Sequence, residues 1–211
     1  MRYRSWLLVL PALPAFALGG WLELDRAAVA RGEVWRLLTG HWTHWTVDHL
    51  VWDSLGFVVL AVLCETRVSR GRLLLGVAGS ALAVSAGVWF LPEIEHIARY
   101  RGLSGIDSAL FVLLAVSLMR ERPLAGLALA AFLGKSAWEV ATGSTLFVQT
   151  GSFVPVPLAH LVGGAWGLIL GIAGRPPTSM ARLRCGGRRL PRVSRGRSGN
   201  SPAVSGPGAA P

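Results

Sequence analysis

Six apolar stretches, separated by polar connections, organise the chain. They run from Trp6 to Trp21, Val47 to Cys64, Leu73 to Leu91, Leu103 to Met119, Leu124 to Trp138 and Val156 to Ala173. Each is near the length of about 20 residues that a helix needs to cross a hydrocarbon core of about 30 Å, and tilt or local thinning of the bilayer accommodates the shorter ones. Because backbone groups in lipid must be paired internally, we interpret all six as transmembrane helices.

Composition agrees with this interpretation. The 211 residues are 52% hydrophobic and only 15% charged, whereas an average soluble domain is roughly 25% charged. This composition argues against a soluble fold. The predicted fold class is an all-α membrane protein, with a six-helix domain over residues 1–174.

The net charge of +10 is distributed in a way that indicates topology and argues against a nucleic-acid partner. Basic residues lie before the first stretch, between the second and third, between the fourth and fifth, and after the sixth. They are Arg2, Arg4, Arg67, Arg70, Arg72, Arg120, Arg122 and eight arginines between Arg175 and Arg197. Positive charge on alternate connections predicts that both termini are cytoplasmic.

The two ends of the chain need separate interpretations. Residues 175–211 are rich in Arg, Gly, Ser and Pro, which predicts a disordered cytoplasmic tail; its arginines either contact anionic lipid headgroups or only fix topology. The first stretch could instead be a cleaved signal peptide, since Arg2 and Arg4 precede an apolar run that ends in small residues. Its removal would place the basic tail and the basic connections on opposite sides, so we expect it to be retained.

The long connection from Trp21 to Thr46 contains several tryptophans among polar groups. Tryptophan side chains of this kind prefer the headgroup level of the bilayer. We expect this connection to lie in the outer interface and to be partly helical.

Ser104 is the first candidate for chemistry. It lies in the string Gly102-Leu103-Ser104-Gly105, where charged residues give way to an apolar helix. The glycines allow a tight turn and leave room for a substrate chain, although a serine between glycines is also typical of a helix-packing site.

His160 makes a catalytic interpretation stronger. Ionisable residues inside a membrane are rare and usually functional, and His160 is predicted near the outer end of the sixth span, at the depth of Ser104. Gly163 and Gly167 form a small-residue stripe on its face, and Gly105 and Ala109 form another beside Ser104. Such stripes let helices approach closely, which would bring the serine within reach of its general base. The alternative is a buried histidine that bonds a backbone carbonyl.

These motifs resemble the rhomboid family of intramembrane serine proteases. Gly102-Leu103-Ser104-Gly105 followed by His160-x-x-Gly163-x-x-x-Gly167 is similar to the family's catalytic motifs, and Glu33 to Thr39 resembles its interfacial loop. The stretch KSAWEVATG, from Lys135 to Gly143, is similar to the rhombosortase branch, which is associated with proteins that bear a C-terminal Gly-Gly, a membrane span and a basic tail.

The resemblance also implies supporting residues. His49, together with Gly102 and the backbone N–H of Ser104, would bind the oxyanion of the reaction. The sequence departs from the family one turn after His49, because Asp53 stands where an asparagine is expected. We expect Asp53 to be neutralised or to orient His49, since a free carboxylate would repel the oxyanion. Ser108 is a second departure, at a position where many members carry an aromatic side chain.

Two further acids could orient or contact substrate. Asp107, three residues after Ser104, could bond His160 or serve a structural, water-facing role. Glu139 is four residues from Lys135 on one helix face, which favours a mutually neutralising pair, although Glu139 could instead contact substrate. We predict no metal, because His41, His44 and His49 lack the carboxylate or thiolate of a known site, and we predict no cofactor.

The sequence thus predicts an intramembrane serine endopeptidase with a Ser104–His160 pair. By the resemblance, its partners would be the lipid bilayer and single-span membrane proteins with a C-terminal Gly-Gly anchor, and its site would face the periplasm from a bacterial inner membrane. A catalytically silent rhomboid-like protein that binds membrane spans is the alternative. A small transporter is disfavoured, because no internal repeat is present.

Overall fold

The fold is largely helical. The computed structural model describes residues 4–91, 98–143 and 156–174, so the predicted tail over residues 175–211 lies outside the described residues. The α-helices are α1 (Ala12–Leu18), α2 (Arg26–Ala30), α3 (Arg36–Thr39), α4 (Val47–Glu65), α5 (Arg70–Phe90), α6 (Ser104–Leu118), α7 (Pro123–Thr142) and α8 (Pro157–Ala173).

Three of the described helices, α4, α5 and α7, are long and apolar enough to cross a membrane. The segment Ser5–Trp21 and helices α6 and α8 are apolar but shorter. Helices therefore coincide with all six apolar stretches, and α6, with 15 residues, would rise only about 22 Å.

The first apolar stretch differs from the continuous helix that we predicted. It consists of a 3-10 turn at Ser5–Val9, helix α1 and a second 3-10 turn at Gly19–Trp21. Pro11 caps α1, and since proline has no N–H to donate, an α-helix cannot continue unbroken through this position.

The connection from residue 22 to residue 46 is partly helical, as predicted, and it also forms a short sheet. Strand β1 (Leu24–Asp25) pairs antiparallel with β2 (Arg99–Tyr100), with Leu24 opposite Tyr100. This pairing ties the connection to the segment that leads into α6. Arg36, which is buried, donates to the carbonyl oxygens of Gly20 and Glu23 at 2.9 Å each, so the turn before β1 is held by a side chain as well.

Helix α6 lies at the centre of the described bundle. It packs against α4, α5, α7 and α8, and ten of its residues are buried. A helix that is apolar on all sides is typical of a protein core or a membrane span, and the sequence of α6 fits its buried, central position. The central position fixes where Ser104, its first residue, is held.

The small-residue stripes of α6 and α8 face each other, as the sequence predicted. A Cβ atom built at Gly163 would overlap the carbonyl group of Gly105, and one built at Gly167 would overlap that of Ala109. The two backbones therefore touch over at least one helical turn, and only glycine fits on the α8 side.

Candidate active site

A sharp turn places Ser104 at the start of α6. Gly102 has φ of +125°, a region that residues with a Cβ rarely adopt. A Cβ at this position would also lie 2.8 Å from Nε2 of His49 and 3.1 Å from Oδ2 of Asp53. Glycine is thus required at residue 102 both for its conformation and for space.

The backbone around Ser104 offers hydrogen-bond donors. The first N–H groups of any α-helix have no acceptor within the helix, and the helix dipole favours negative charge at this end. In α6 the first intrahelical bond runs from the N–H of Asp107 to the carbonyl oxygen of Leu103 at 2.9 Å. The N–H groups of Ser104 and Gly105 precede it. That of Gly105 interacts with the Tyr100 hydroxyl, so the N–H of Ser104 is the one that this helix start offers to an anionic group.

His160 lies in the first turn of α8, next to this end of α6. A Cβ at Gly105 would lie 3.3 Å from the carbonyl oxygen of Ala159, the residue before His160. The described residues include no hydrogen bond between the side chains of Ser104 and His160. Such a bond is often long in the absence of substrate and tightens when substrate binds.

Glu139 is the acid that contacts His160. Its Oε2 lies 3.0 Å from Nδ1 of His160, and its Oε1 accepts a 2.7 Å hydrogen bond from Nζ of Lys135. The pair with Lys135 was predicted from the i,i+4 spacing, but the contact with His160 was not. Residues 139 and 160 lie on different helices, and no spacing rule applies between them.

Asp107 does not bond His160, one of the two roles that we considered for it. Its Oδ2 would lie 3.2 Å from a Cβ at Gly56, so the side chain faces α4. Its Oδ1 is buried and makes no hydrogen bond to the described residues. Asp107 faces α4, whereas α8 packs on the other side of α6, along Gly105 and Ala109. Asp107 is therefore separated from His160.

Asp53 joins three elements of the site. Its Oδ2 accepts a 2.8 Å hydrogen bond from the N–H of Leu103, and it lies 3.2 Å from Nε2 of His49 and 3.4 Å from Nε2 of His44. The N–H of Leu103 compensates the buried carboxylate by a hydrogen bond, and the two imidazole nitrogens lie close to it, although Nε2 of His44 makes no hydrogen bond to the described residues. Asp53 thus lies beside His49, and its orienting role stays a prediction. The proximity of His44 and the hydrogen bond from the Leu103 N–H were not predicted.

The rings of Tyr100, in β2, and His41 pack together next to Gly102 and Ser104. Burial, followed by the charge of Asp53, raises the pKa of the Tyr100 phenol above its ordinary value, and hydrogen bonding with the Ser104 hydroxyl opposes the rise only in part. Tyr100 therefore stays protonated and donates to the carbonyl oxygen of Gly102 at 3.3 Å. The ring of His41 packs edge-on against Tyr100 at 5.3 Å, and burial lowers the pKa of His41 to about 4, so it is neutral.

Charged side chains anchor the segment that leads into Ser104. Arg101 pairs with Glu23 at 2.7 Å, donates to the carbonyl oxygen of His44 at 3.1 Å, and stacks over the ring of Trp45 at 4.3 Å. Glu23 is only 3% exposed. Removal of one partner from a buried ion pair is strongly destabilising, because the other charge is left buried and unpaired. The pair therefore holds residues 101–103 in place relative to the connection before α4.

Ser108 also contacts the nucleophile candidate, but through the backbone. Its hydroxyl donates to the carbonyl oxygen of Ser104 at 2.8 Å. It therefore satisfies its own hydrogen bond within α6 and does not provide the ring contact to the histidine that an aromatic side chain would make.

Comparisons with known proteins bear on this site. The family model described as "Rhomboid domain" matches residues 31–177. A similar protein is "Putative rhomboid protease YdcA" of Bacillus subtilis (strain 168), which is 29% identical over 103 residues. That alignment covers 47% of this chain and 51% of the relative, so it spans about half the length of each protein.

Proposed function

The chain belongs to the rhomboid family of integral membrane proteins, and from this premise we propose that it is an intramembrane serine endopeptidase with Ser104 as nucleophile and His160 as general base. The observation that carries the proposal is the backbone contact between α6 and α8. Gly163 is in contact with the backbone of Gly105. His160 lies about one turn before Gly163, so it comes beside the start of α6, where Ser104 is.

The reaction follows the pattern of serine hydrolases. His160 in its neutral form removes the proton from the Ser104 hydroxyl as Oγ attacks the substrate carbonyl. The proton then passes to the leaving amine, the peptide C–N bond breaks, and an acyl-enzyme remains. Water, activated by the same histidine, hydrolyses the ester and regenerates Ser104.

Donors near Ser104 would stabilise the oxyanion. The N–H of Ser104 lies in the first turn of α6, where helix N–H groups have no acceptor within the helix, and Nε2 of His49 lies next to Gly102. Preorganised donors of this kind each contribute roughly 3 kcal/mol to transition-state stabilisation in serine hydrolases.

The short α6 supports access of water to the site. A rise of about 22 Å does not cross a core of about 30 Å, so one end of α6 would lie below the level of the headgroups. We place the Ser104 end toward the outer side, because the charge pattern predicts cytoplasmic termini for a six-span bundle. In a bacterial inner membrane the site would then open toward the periplasm.

The proposed substrate is a single-span membrane protein with a C-terminal Gly-Gly anchor. The resemblance of Lys135–Gly143 to the rhombosortase branch supports this choice. A transmembrane helix hides its carbonyl groups in hydrogen bonds, and glycines weaken a helix by about 1 kcal/mol each relative to alanine, so a Gly-Gly pair would help to expose a bond for attack.

The test is co-expression of the full chain with a tagged Gly-Gly anchor substrate, and with a matched substrate in which Leu-Leu replaces Gly-Gly. We expect cleavage of the Gly-Gly substrate, no cleavage of the Leu-Leu substrate, and no cleavage by Ser104→Ala. Labelling of Ser104 by a fluorophosphonate measures reactivity without any substrate. Labelling without cleavage would reject the Gly-Gly substrate and retain the protease.

A catalytically silent protein that binds membrane spans is the second candidate, and the carboxylate of Asp53 next to the oxyanion donors favours it. This candidate predicts that folded wild-type protein is neither labelled nor able to cleave either substrate, and that it co-purifies with the anchor.

Asp53 provides a prediction that separates hydrogen bonding from charge. Asparagine keeps an oxygen that can accept from the N–H of Leu103, so we expect Asp53→Asn to cleave within about tenfold of wild type. Alanine leaves that buried N–H without an acceptor, at a cost of about 1 to 3 kcal/mol, and we expect Asp53→Ala to lose roughly 10- to 100-fold. Cleavage rates at matched protein levels measure both effects. Equal losses in the two variants would show that the negative charge itself is needed.

A further inference from the structure

The side chains of Lys135, Glu139 and His160 form a chain of polar contacts between α7 and α8. Glu139 is 1% exposed, and the side chains of Lys135 and His160 are 25% and 13% exposed. A buried carboxylate is stable only when donors compensate it. Here each carboxylate oxygen has its own partner, at 2.7 Å for Lys135 and 3.0 Å for His160.

These contacts determine how His160 can act. A carboxylate accepts hydrogen bonds and does not donate, so the nitrogen that faces it must carry the hydrogen. Since Nδ1 faces Glu139, the neutral ring carries its hydrogen on Nδ1 and leaves the lone pair on Nε2. A general base needs that lone pair free toward the hydroxyl from which it takes the proton.

We propose that Glu139, held by Lys135, is a positioning residue that fixes the tautomer and orientation of His160, so that the catalytic unit is Ser104–His160–Glu139. This inference rests on the proposed function and deepens it. When His160 takes the proton of Ser104, the carboxylate of Glu139 lies beside the new positive charge and stabilises it. Lys135 binds the other carboxylate oxygen, which holds the Glu139 side chain in this orientation.

The position of Glu139 in the fold supports the assignment. It lies three residues before the end of α7, and His160 lies in the first turn of α8, so the contact is made at the end of the bundle where α6 begins. Lys135 and Glu139 could satisfy each other without any partner on α8, yet Glu139 directs its second oxygen to the imidazole.

A purely structural role, in which the three side chains only fasten α7 to α8, makes different predictions. It predicts a loss of thermal stability in Glu139 variants and no selective change in kcat. A positioning role predicts a change in kcat and in the histidine tautomer, with KM nearly unchanged, because Glu139 would then act through His160 and not through the substrate.

The experiment compares Glu139→Gln, Glu139→Asp and the matched control Ser136→Ala in the full chain. Ser136 is a buried side chain on the same helix, and its hydroxyl makes no hydrogen bond to the described residues. We expect Glu139→Gln to lower kcat and the rate of fluorophosphonate labelling roughly 100- to 10,000-fold. Glu139→Asp should recover part of this loss, and Ser136→Ala should stay within about twofold of wild type.

Nitrogen-15 NMR of histidine-labelled protein in detergent gives a readout that needs no activity. The resonances of His160, assigned by their loss in His160→Ala, are expected to show hydrogen on Nδ1 in the wild type and a changed tautomer in Glu139→Gln. Hydrogen on Nε2 in the wild type, an unchanged kcat in Glu139→Gln, or an equal loss in Ser136→Ala would overturn the proposal. Wild-type protein with the expected tautomer but without labelling or cleavage would instead contradict the proposed protease function.

Discussion

Replacing Ser104 by alanine, replacing His160 by alanine, or replacing both is expected to lower cleavage to one common residual level, roughly six orders of magnitude below wild type. The nucleophile and its base act as a unit, because Oγ attacks only while its proton is being removed. Once either side chain is missing, the other has no remaining chemical task, so the double variant should lose no more than the single variants.

The measurement is a single-turnover cleavage assay in detergent with equal amounts of each variant. Ser80→Ala is the matched control, because Ser80 is a fully buried serine on α5 that bonds the carbonyl oxygen of Val77 within its own helix. It should retain wild-type activity. Additive losses in the Ser104→Ala/His160→Ala double variant would mean that the two residues act independently, which contradicts the proposed pair.

Replacing Gly163 by leucine is expected to reduce cleavage by about three orders of magnitude or more and to lower stability by about 3 kcal/mol. A Cβ at Gly163 overlaps the carbonyl group of Gly105, and a backbone atom cannot move aside as a flexible side chain can. The helices must separate, and a misplacement of about 1 Å already costs roughly 100-fold in rate.

Gly126→Leu is the control for this prediction. Gly126 lies on α7, and a Cβ there meets nothing within 4 Å, so leucine should be tolerated with cleavage and the unfolding midpoint in detergent near the wild-type values. Wild-type activity in Gly163→Leu would show that α6 and α8 do not need their close contact for catalysis, which would remove the main support for the Ser104–His160 pair.

Much of the helical layout could be predicted from the sequence, because long apolar runs leave the backbone only one way to satisfy its hydrogen bonds in lipid. The helices of the structure coincide with the predicted stretches. The break in the first stretch at Pro11 could also have been read from the sequence, since proline inside a helical pattern ends or kinks a helix. The pairing of β1 with β2 could not, because strands of two residues carry no detectable periodicity.

Some contacts of the candidate site could likewise be predicted from the sequence. Local spacing is enough to place Lys135 beside Glu139 and His49 beside Asp53, since residues four apart on a helix face the same direction. The motif around Ser104 and the glycine stripe after His160 likewise identified the two helices that should meet.

Only the tertiary structure decided which acid serves His160 and what compensates Asp53. The contact of Glu139 with His160 and the hydrogen bond from Leu103 to Asp53 join residues 21 and 50 positions apart. Such contacts depend on how each helix is rotated against its neighbours, and this rotation is set by packing of whole faces rather than by any short pattern. The sequence offers both Asp107 and Glu139 as candidate partners of His160. The rotation of their helices turns Asp107 toward α4 and Glu139 toward α8, and so decides between them.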